Sequence, residues 1–467
     1  MSSSTAIQPF SHAARMRVIF GILFCILLVA LDQTIVLPAI PQMAQSLHGT
    51  AHLSWVISAY LLTTTVTTPI YGKLSDQFGR RAVLAPALII FMLACVFCAM
   101  ADSVPALVLG RALQGLGGGA LGAVAQSAVA DVIPPRERGR YQAWFAGTWA
   151  FSSIAGPVAG GFITQHLSWR WIFWGNLPFA ALALLLSWRA LGSLVPAGAG
   201  GKVDYAGAAL LMLSVAICLL ALSMGGVDIR WASWQEAALG GGAGLGFILL
   251  AAQQRASAAP LLPGALLRRM GGLTVIAFLN SAAMLTAIFL LPLLLQRAYH
   301  ATPAMAGLDI MPMLFATTVG AFSAGQVLRR SGRLTPVLAV SLSTAMAAFA
   351  GLAVLPYANS PVLPVAISAV AGLGLGGLMP SLLVAVQSLA GAGEIGAATG
   401  VLLLLRSMGG AFGATLAGAA LAWSGRDANA GYHAGFAAAM MLLLLSLAAL
   451  AAVPDIRLRN TVHEQPA

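Results

Sequence analysis

The sequence predicts an all-α polytopic membrane protein, and three observations carry the prediction. Of its 467 residues, 59% are hydrophobic and only 8% charged, where a soluble domain is about 25% charged; mean hydropathy is +0.89. The apolar residues gather into about fourteen runs, each near the ~20 residues a helix needs to cross a bilayer. The basic residues fall between those runs on alternate loops. With a cytoplasmic N-terminus, only Arg170, Arg230, Arg297 and Arg426 come to the outer side, and Arg111 and Arg406 lie inside helices. A bias this strong fixes the expected orientation, with both termini cytoplasmic.

The runs cover roughly 17–41, 53–72, 82–101, 105–130, 142–164 and 171–191, then 204–225 and 234–253, then 272–296, 304–328, 335–356, 361–389, 396–422 and 432–453. The first is too long for a signal-peptide core and lacks a small-x-small cleavage site followed by soluble sequence, so it reads as a retained span. The formal charge of +11 does not point to nucleic acid, because no Lys/Arg stripe alternates with aromatics. Cys25, Cys95, Cys98 and Cys218 all lie in apolar runs and read as small packing residues. There is no catalytic constellation, metal-ligand cluster or Gly-x-x-x-x-Gly-Lys-Ser/Thr phosphate loop. Neither an enzyme nor an ATP-driven pump is expected.

Between the second and third runs stands Gly72-Lys73-Leu74-Ser75-Asp76-Gln77-Phe78-Gly79-Arg80-Arg81. It reads as a tight basic hairpin in which Gly72 and Gly79 supply backbone freedom. Asp76 is the odd member. It is expected to pair with Arg80 or to cap a neighbouring helix N-terminus, that of the thirteenth run near Gly396 being the candidate. The same Gly-to-Gly-Arg spacing recurs from Gly325 to Gly332-Arg333, with Arg329 where Asp76 stands. Repeats of this kind mark chains built from two related halves. The expected organisation is an N-terminal six-helix bundle in 1–195, two inserted helices with connectors in 196–260, and a C-terminal six-helix bundle in 261–467.

Three spans carry chemistry. Asp32 lies ~22 Å into the first at 1.5 Å per residue, deep in the bilayer. It is either a structural acid satisfied by a neighbouring helix or a proton site. Arg111 opens a glycine-rich stretch in the fourth span, and Gly115, Gly118, Gly119 and Gly122 share its face by helical spacing. It either snorkels to the surface or is a buried cation for which Asp32 is the obvious partner. The fifth span holds Gly156-Pro157-Val158-Ala159-Gly160-Gly161, where proline bends the helix and glycines allow close packing.

These motifs and the hairpin together resemble those of the fourteen-spanner drug:proton antiporters of the major facilitator superfamily. So do Trp55 to Tyr60, Trp169 to Pro178, Asp204 to Gly207, Ala306 to Pro312 and Arg406 to Gly413, and the resemblance covers nearly the whole chain. Two patterns depart from it: Leu37 stands where the family usually has Asn, and Ala143 and Ser152 stand at usual glycines. The resemblance implies a major-facilitator fold of two six-helix bundles that rock about a central cavity. It implies export of amphipathic or cationic compounds in exchange for protons, with Asp32 and Arg111 coupling the proton. It implies that Gly72, Asp76, Gly79, Arg80, Gly156, Pro157, Gly160 and Gly161 govern conformational change. A proton-coupled importer or exchanger of a small metabolite is the alternative, against which the fifth-span motif argues.

Candidates for the cavity are Phe145 and Trp149, one turn apart, Asn280 and Met284, likewise one turn apart, then Asp309 and Arg406. Phe145 and Trp149 read equally as packing or lipid-facing residues, and Asp309 as a wetted residue near the outer surface or a second proton site. No cofactor is expected beyond the coupling proton. The expected partners are small amphipathic substrates and the lipid bilayer, with no nucleic acid. A periplasmic adaptor stays open, although the last outer loop is short. The expected unit is a monomer in the plasma (inner) membrane.

Overall fold

The computed structural model describes residues 12–47, 53–193, 203–225, 229, 233–357, 360–391, 393–424 and 428–458. Lys202, Arg230, Arg426 and Arg459 of the charge pattern, and the expected boundary at 195/196, lie outside them. Among the described residues the structure is helical, without strands beyond two isolated bridges.

The N-terminal bundle consists of α1 (His12–Ile35), α3 (Ser54–Phe78), α4 (Arg80–Ala99), α5 (Val104–Val132), α6 (Pro135–His166) and α7 (Arg170–Ala190). A short α2 (Ile40–Ser46) follows α1. Then come α8 (Tyr205–Met224) and α9 (Trp234–Ala256). The C-terminal bundle consists of α10 (Gly264–Ala298), α12 (Met311–Ser331), α13 (Leu334–Val354), α14 (Val362–Leu389), α15 (Ile395–Trp423) and α16 (Ala428–Ala451), with a short α11 (Pro303–Asp309) before α12. Twelve of the described helices are long and apolar enough to cross a membrane. Among the long helices α3 and α6 fall short. The first carries Thr63, Thr64, Thr65, Thr67 and Thr68, and the second opens with Arg136, Glu137, Arg138 and Arg140.

Each bundle has its own apolar core, one around Ile22, Leu88, Phe91 and Val124, the other around Leu290, Leu342, Phe349 and Leu382. The bundles meet where α3 packs on α15 and α6 on α12. The α8–α9 hairpin lies across the first of these seams: Leu211 and Val215 of α8 cluster with Val66 of α3 and Leu404 of α15. Thr415 of α15 also donates to the Leu222 carbonyl at 2.7 Å. Asp204 fixes the hairpin, capping α8 through the Gly207 amide at 2.8 Å and accepting from Gln253 and Gln254, each at 2.7 Å. Burial pulls the Asp204 pKa up, but donors from Gly207, Gln254 and Gln253 outweigh it and leave the carboxyl below its ordinary value.

Three expectations need correction. The segment from Gly72 to Phe78 is not a loop but the last two turns of α3, and Gly79 alone makes the turn, at φ 92°. Its counterpart Gly332 has φ 65°. The first run is not one helix: α1 ends at Ile35, and Leu37–Ala39 form a 3-10 turn before α2, since Pro38 has no amide to continue the ladder. Asp309, by contrast, stands inside the expected run, within the span Met305–Ser331, half-buried where α11 meets α12. Finally, α6 and α10 begin seven or eight residues earlier than hydropathy places them, because their first turns are too polar to register as membrane.

Candidate functional site

Asp32 sits near the far end of α1 with no accessible surface. Its Oδ2 receives Arg111 Nη1 of α5 at 2.8 Å, and its Oδ1 receives Gln114 Nε2 at 2.8 Å and Asn176 Nδ2 of α7 at 2.7 Å. Arg111 does not snorkel: it is 1% exposed, donates from Nε to the Val56 carbonyl at 3.1 Å, and lies 4.3 Å from the Tyr60 ring centre. Glycines explain how α3 comes close enough. A side chain at Gly115 would overlap the Tyr60 carbonyl and Thr63, and one at Gly118 or Gly119 would meet Tyr60, Thr64 or Thr67. The close approach does not extend along this face to Gly122, where a side chain would meet nothing within 4 Å. Gln114 and Asn176 were not singled out by sequence reasoning. The signal for Gln114 was its place three residues after Arg111 on one helix face; that for Asn176 was a lone amide in an apolar span.

The second constellation lies at the end of the molecule that carries Lys73, Arg80 and Arg81, called here the basic end. Asp76 Oδ1 accepts the Gly396 amide at 2.8 Å and Oδ2 the Ala397 amide at 2.9 Å, the first free N–H groups of α15. Arg80 holds Asp76 from the side at 2.7 Å and reaches Asp131, at the end of α5, at 2.8 Å. Asp131 is a further residue that sequence reasoning missed. Gly72 faces Gly396 so closely that a side chain would overlap the Gly396 carbonyl, so its role is close approach. At the other seam Gly325 of α12 packs in the same way on the backbone of Gly139 of α6.

In α6, Gly156 lies against Thr34 and Gly160 against the Ile35 carbonyl, so α1 and α6 nearly touch beside Pro157, and Thr34 bonds the Ser152 carbonyl at 2.9 Å. Gly161 does not share this contact; nothing lies within 4 Å of it. Phe145 and Trp149 have different surroundings: Phe145 is buried in the N-terminal core, while Trp149 is 39% exposed. Asn280 is buried, with Oδ1 lacking a hydrogen-bond partner, and Met284 packs against the C-terminal core. Arg406, midway along α15, donates to the Met379 sulfur at 3.4 Å.

This arrangement has relatives. The chain matches the Major Facilitator Superfamily over residues 22–414 and again over 273–464. It is 33% identical to the multidrug transporter protein MdtP of Bacillus subtilis over 373 residues, 79% of this chain and 69% of that protein. It is 31% identical to multidrug resistance protein 3 of the same organism over 327 residues, 70% of this chain and 63% of that one, so it spans less than two thirds of the latter's length. In fold it is similar to the human organic anion transporter MFSD10, with a TM-score of 0.68 at 19% identity over 93% of this chain and 99% of that one. With a family match running through both bundles, the chain belongs to the major facilitator superfamily, a family of membrane transporters and not of enzymes.

Proposed function

We propose that this transporter exports amphipathic compounds across the plasma membrane in exchange for protons, as a fourteen-span member of the superfamily with α3 and α6 crossing the bilayer beside the twelve more apolar helices. The basic end faces the cytoplasm, as the distribution of Lys and Arg favours. The observation that carries the coupling is the dry Asp32 site. All its partners are donors, as an ionised carboxylate requires. Protonating it would force an O–H onto Arg111, Gln114 or Asn176 and release Arg111 from its counter-charge. Proton uptake therefore has a structural consequence that the bundles can share through α1, α5 and α7. The names of the bacterial relatives support the choice of exported compounds. Because the described contacts between bundles gather at the basic end, the form seen here is the one closed to the cytoplasm. Substrate and proton then compete for one conformational equilibrium, each through its own differential affinity.

The test is efflux of cationic and neutral dyes from inverted vesicles, with and without an uncoupler. Dye accumulation that collapses with the uncoupler is the expected result. Accumulation indifferent to the uncoupler removes proton coupling.

A further inference from the structure

Two buried arginines of the N-terminal bundle are matched by carboxylates, while a third, Arg138, is met by the Ile133 and Ala130 carbonyls. Asp32 holds Arg111, and Asp76 and Asp131 share Arg80. The C-terminal bundle is different. None of its six long helices contains an Asp or Glu, yet Arg406 sits eleven residues into α15, about 16 Å along it. Its one described hydrogen bond goes to the Met379 thioether, a weak acceptor for a group with five donors. It has no carboxylate within 4.0 Å among the described residues. It is half-buried, so it is not sealed into the packed core.

A second observation comes from α10. Gly409 packs on the Phe278 backbone and Gly413 on that of Ala282, so α10 and α15 run parallel in register. Asn280 then stands within about 8 Å of Arg406 in depth, from the 1.5 Å rise per residue. Its buried Oδ1 lacks a partner. An uncompensated cation and an unsatisfied amide thus occupy neighbouring levels of one bundle, where a buried charge without a partner is costly.

We propose that Arg406 binds an oxyanion carried by the exported compound, a carboxylate or sulfonate on an apolar body, with Asn280 helping to hold the molecule. This rests on the efflux reading and changes its substrate class. The fixed positive charge opposes cationic amphipaths, which the sequence resemblance includes, and favours acidic and neutral ones. Arginine suits the task because its planar fork pairs both oxygens of a carboxylate.

Three dyes with one fluorophore test it: dansylglycine, an acid; dansylamide, neutral; and dansylcadaverine, a cation. Binding is measured by fluorescence with the purified chain in lipid nanodiscs. The parent should bind dansylglycine more tightly than dansylcadaverine. Arg406→Gln should weaken dansylglycine about tenfold or more, the scale of one charge-assisted pair, while dansylamide binding stays unchanged and so reports an intact fold. Arg406→Lys should recover part of the loss. A parent that prefers dansylcadaverine, or an Arg406→Gln that loses the acid and the neutral dye equally, overturns the anion site. Uptake of the same dyes into inverted vesicles separates the two readings: a parent that binds dansylglycine and moves no dye keeps the site and loses the exporter.

Discussion

The N-terminal bundle holds two buried aspartates, each on an arginine, and they differ in whose atoms surround them. Every described donor to Asp32 comes from the same bundle, from α5 and α7. Asp76 is tied to its own bundle by Arg80 and to the other by two amides of α15. If the bundles reorient as bodies, the Asp32 shell travels intact and changes only with proton or water. The Asp76 contact must break. An acid whose partners are all in one body is suited to hold a proton through the cycle. An acid shared between bodies is suited to read which state the molecule is in.

The sharpest break of this comparison is Asp32→Asn. It removes the proposed proton site and leaves Arg111 without its counter-charge, a loss of about 3–5 kcal/mol for a buried pair. Gradient-driven efflux should fall to background and substrate-induced proton release from purified protein should vanish, while the protein still inserts. Distances across the basic-end seam should still report two states. Undiminished proton release would move the coupling site elsewhere, with Asp309 next in line.

Asp76→Asn should do the reverse. The charge at the start of α15 contributes ~1–2 kcal/mol when partly buried, so its loss should shift the equilibrium about tenfold towards the form open at the basic end. Spin labels on the ends of α3 and α15 would measure that shift. Proton release per substrate should not change. A variant with unaltered distances would show that the amide contact does not set the equilibrium.

What was legible in the sequence followed the same division. Hydropathy and charge placed the fourteen long helices, twelve of them long and apolar enough to cross a membrane, because a bilayer imposes length and polarity on each span separately. Asp32, Arg111 and Asp76 stood out because an ionisable group in such a context needs a partner. The partners themselves were less visible. Asn176 and Gln114 are ordinary amides whose value appears only when α1, α5 and α7 converge, and Asp131 lies 51 residues from the Arg80 it binds. Gly72 looked like a turn residue because glycine serves turns and close approaches alike; only the carbonyl of Gly396 opposite decides between them. The break in α1 and the early starts of α6 and α10 were hidden because hydropathy measures membrane contact, not helix continuity.

The two seams at the basic end give the smaller predictions. The seam of α6 with α12 repeats the glycine contact, but among the described residues no carboxylate bonds across it; instead the C-terminal tail joins it. Leu458 N–H donates to the Gly332 carbonyl at 2.8 Å, Leu334 N–H to the Ile456 carbonyl at 3.2 Å, and Arg136 of α6 to the Leu458 carbonyl at 3.1 Å. Deleting residues 455–467 removes one hydrogen bond between bundles, worth about 1 kcal/mol or less at a wetted surface. The expected shift in the same spin-label distances is a few-fold and adds to that of Asp76→Asn, since the sites share no partner. No shift would show the tail to be a passive covering.

The smallest effect expected is from Arg329→Asp, which restores in the second copy the acid that the first copy has. It should leave the equilibrium unchanged, within the ~0.5 kcal/mol of an ordinary surface substitution. The reason is register. Gly396 is the second residue of α15, so its amide and that of Ala397 are free to meet a carboxylate. Gly139, which faces Gly325, is the fifth residue of α6, and its amide already belongs to the helix ladder. One turn nearer the end, Glu137 and Arg138 give their amides to the Pro134 carbonyl, and Pro135 has none. An acid at position 329 would find no adjacent pair of free amides like the one that Asp76 meets. Spin-label distances that tighten in Arg329→Asp would mean that the end of α6 opens to receive it, and that the absence of an acid there has another cause.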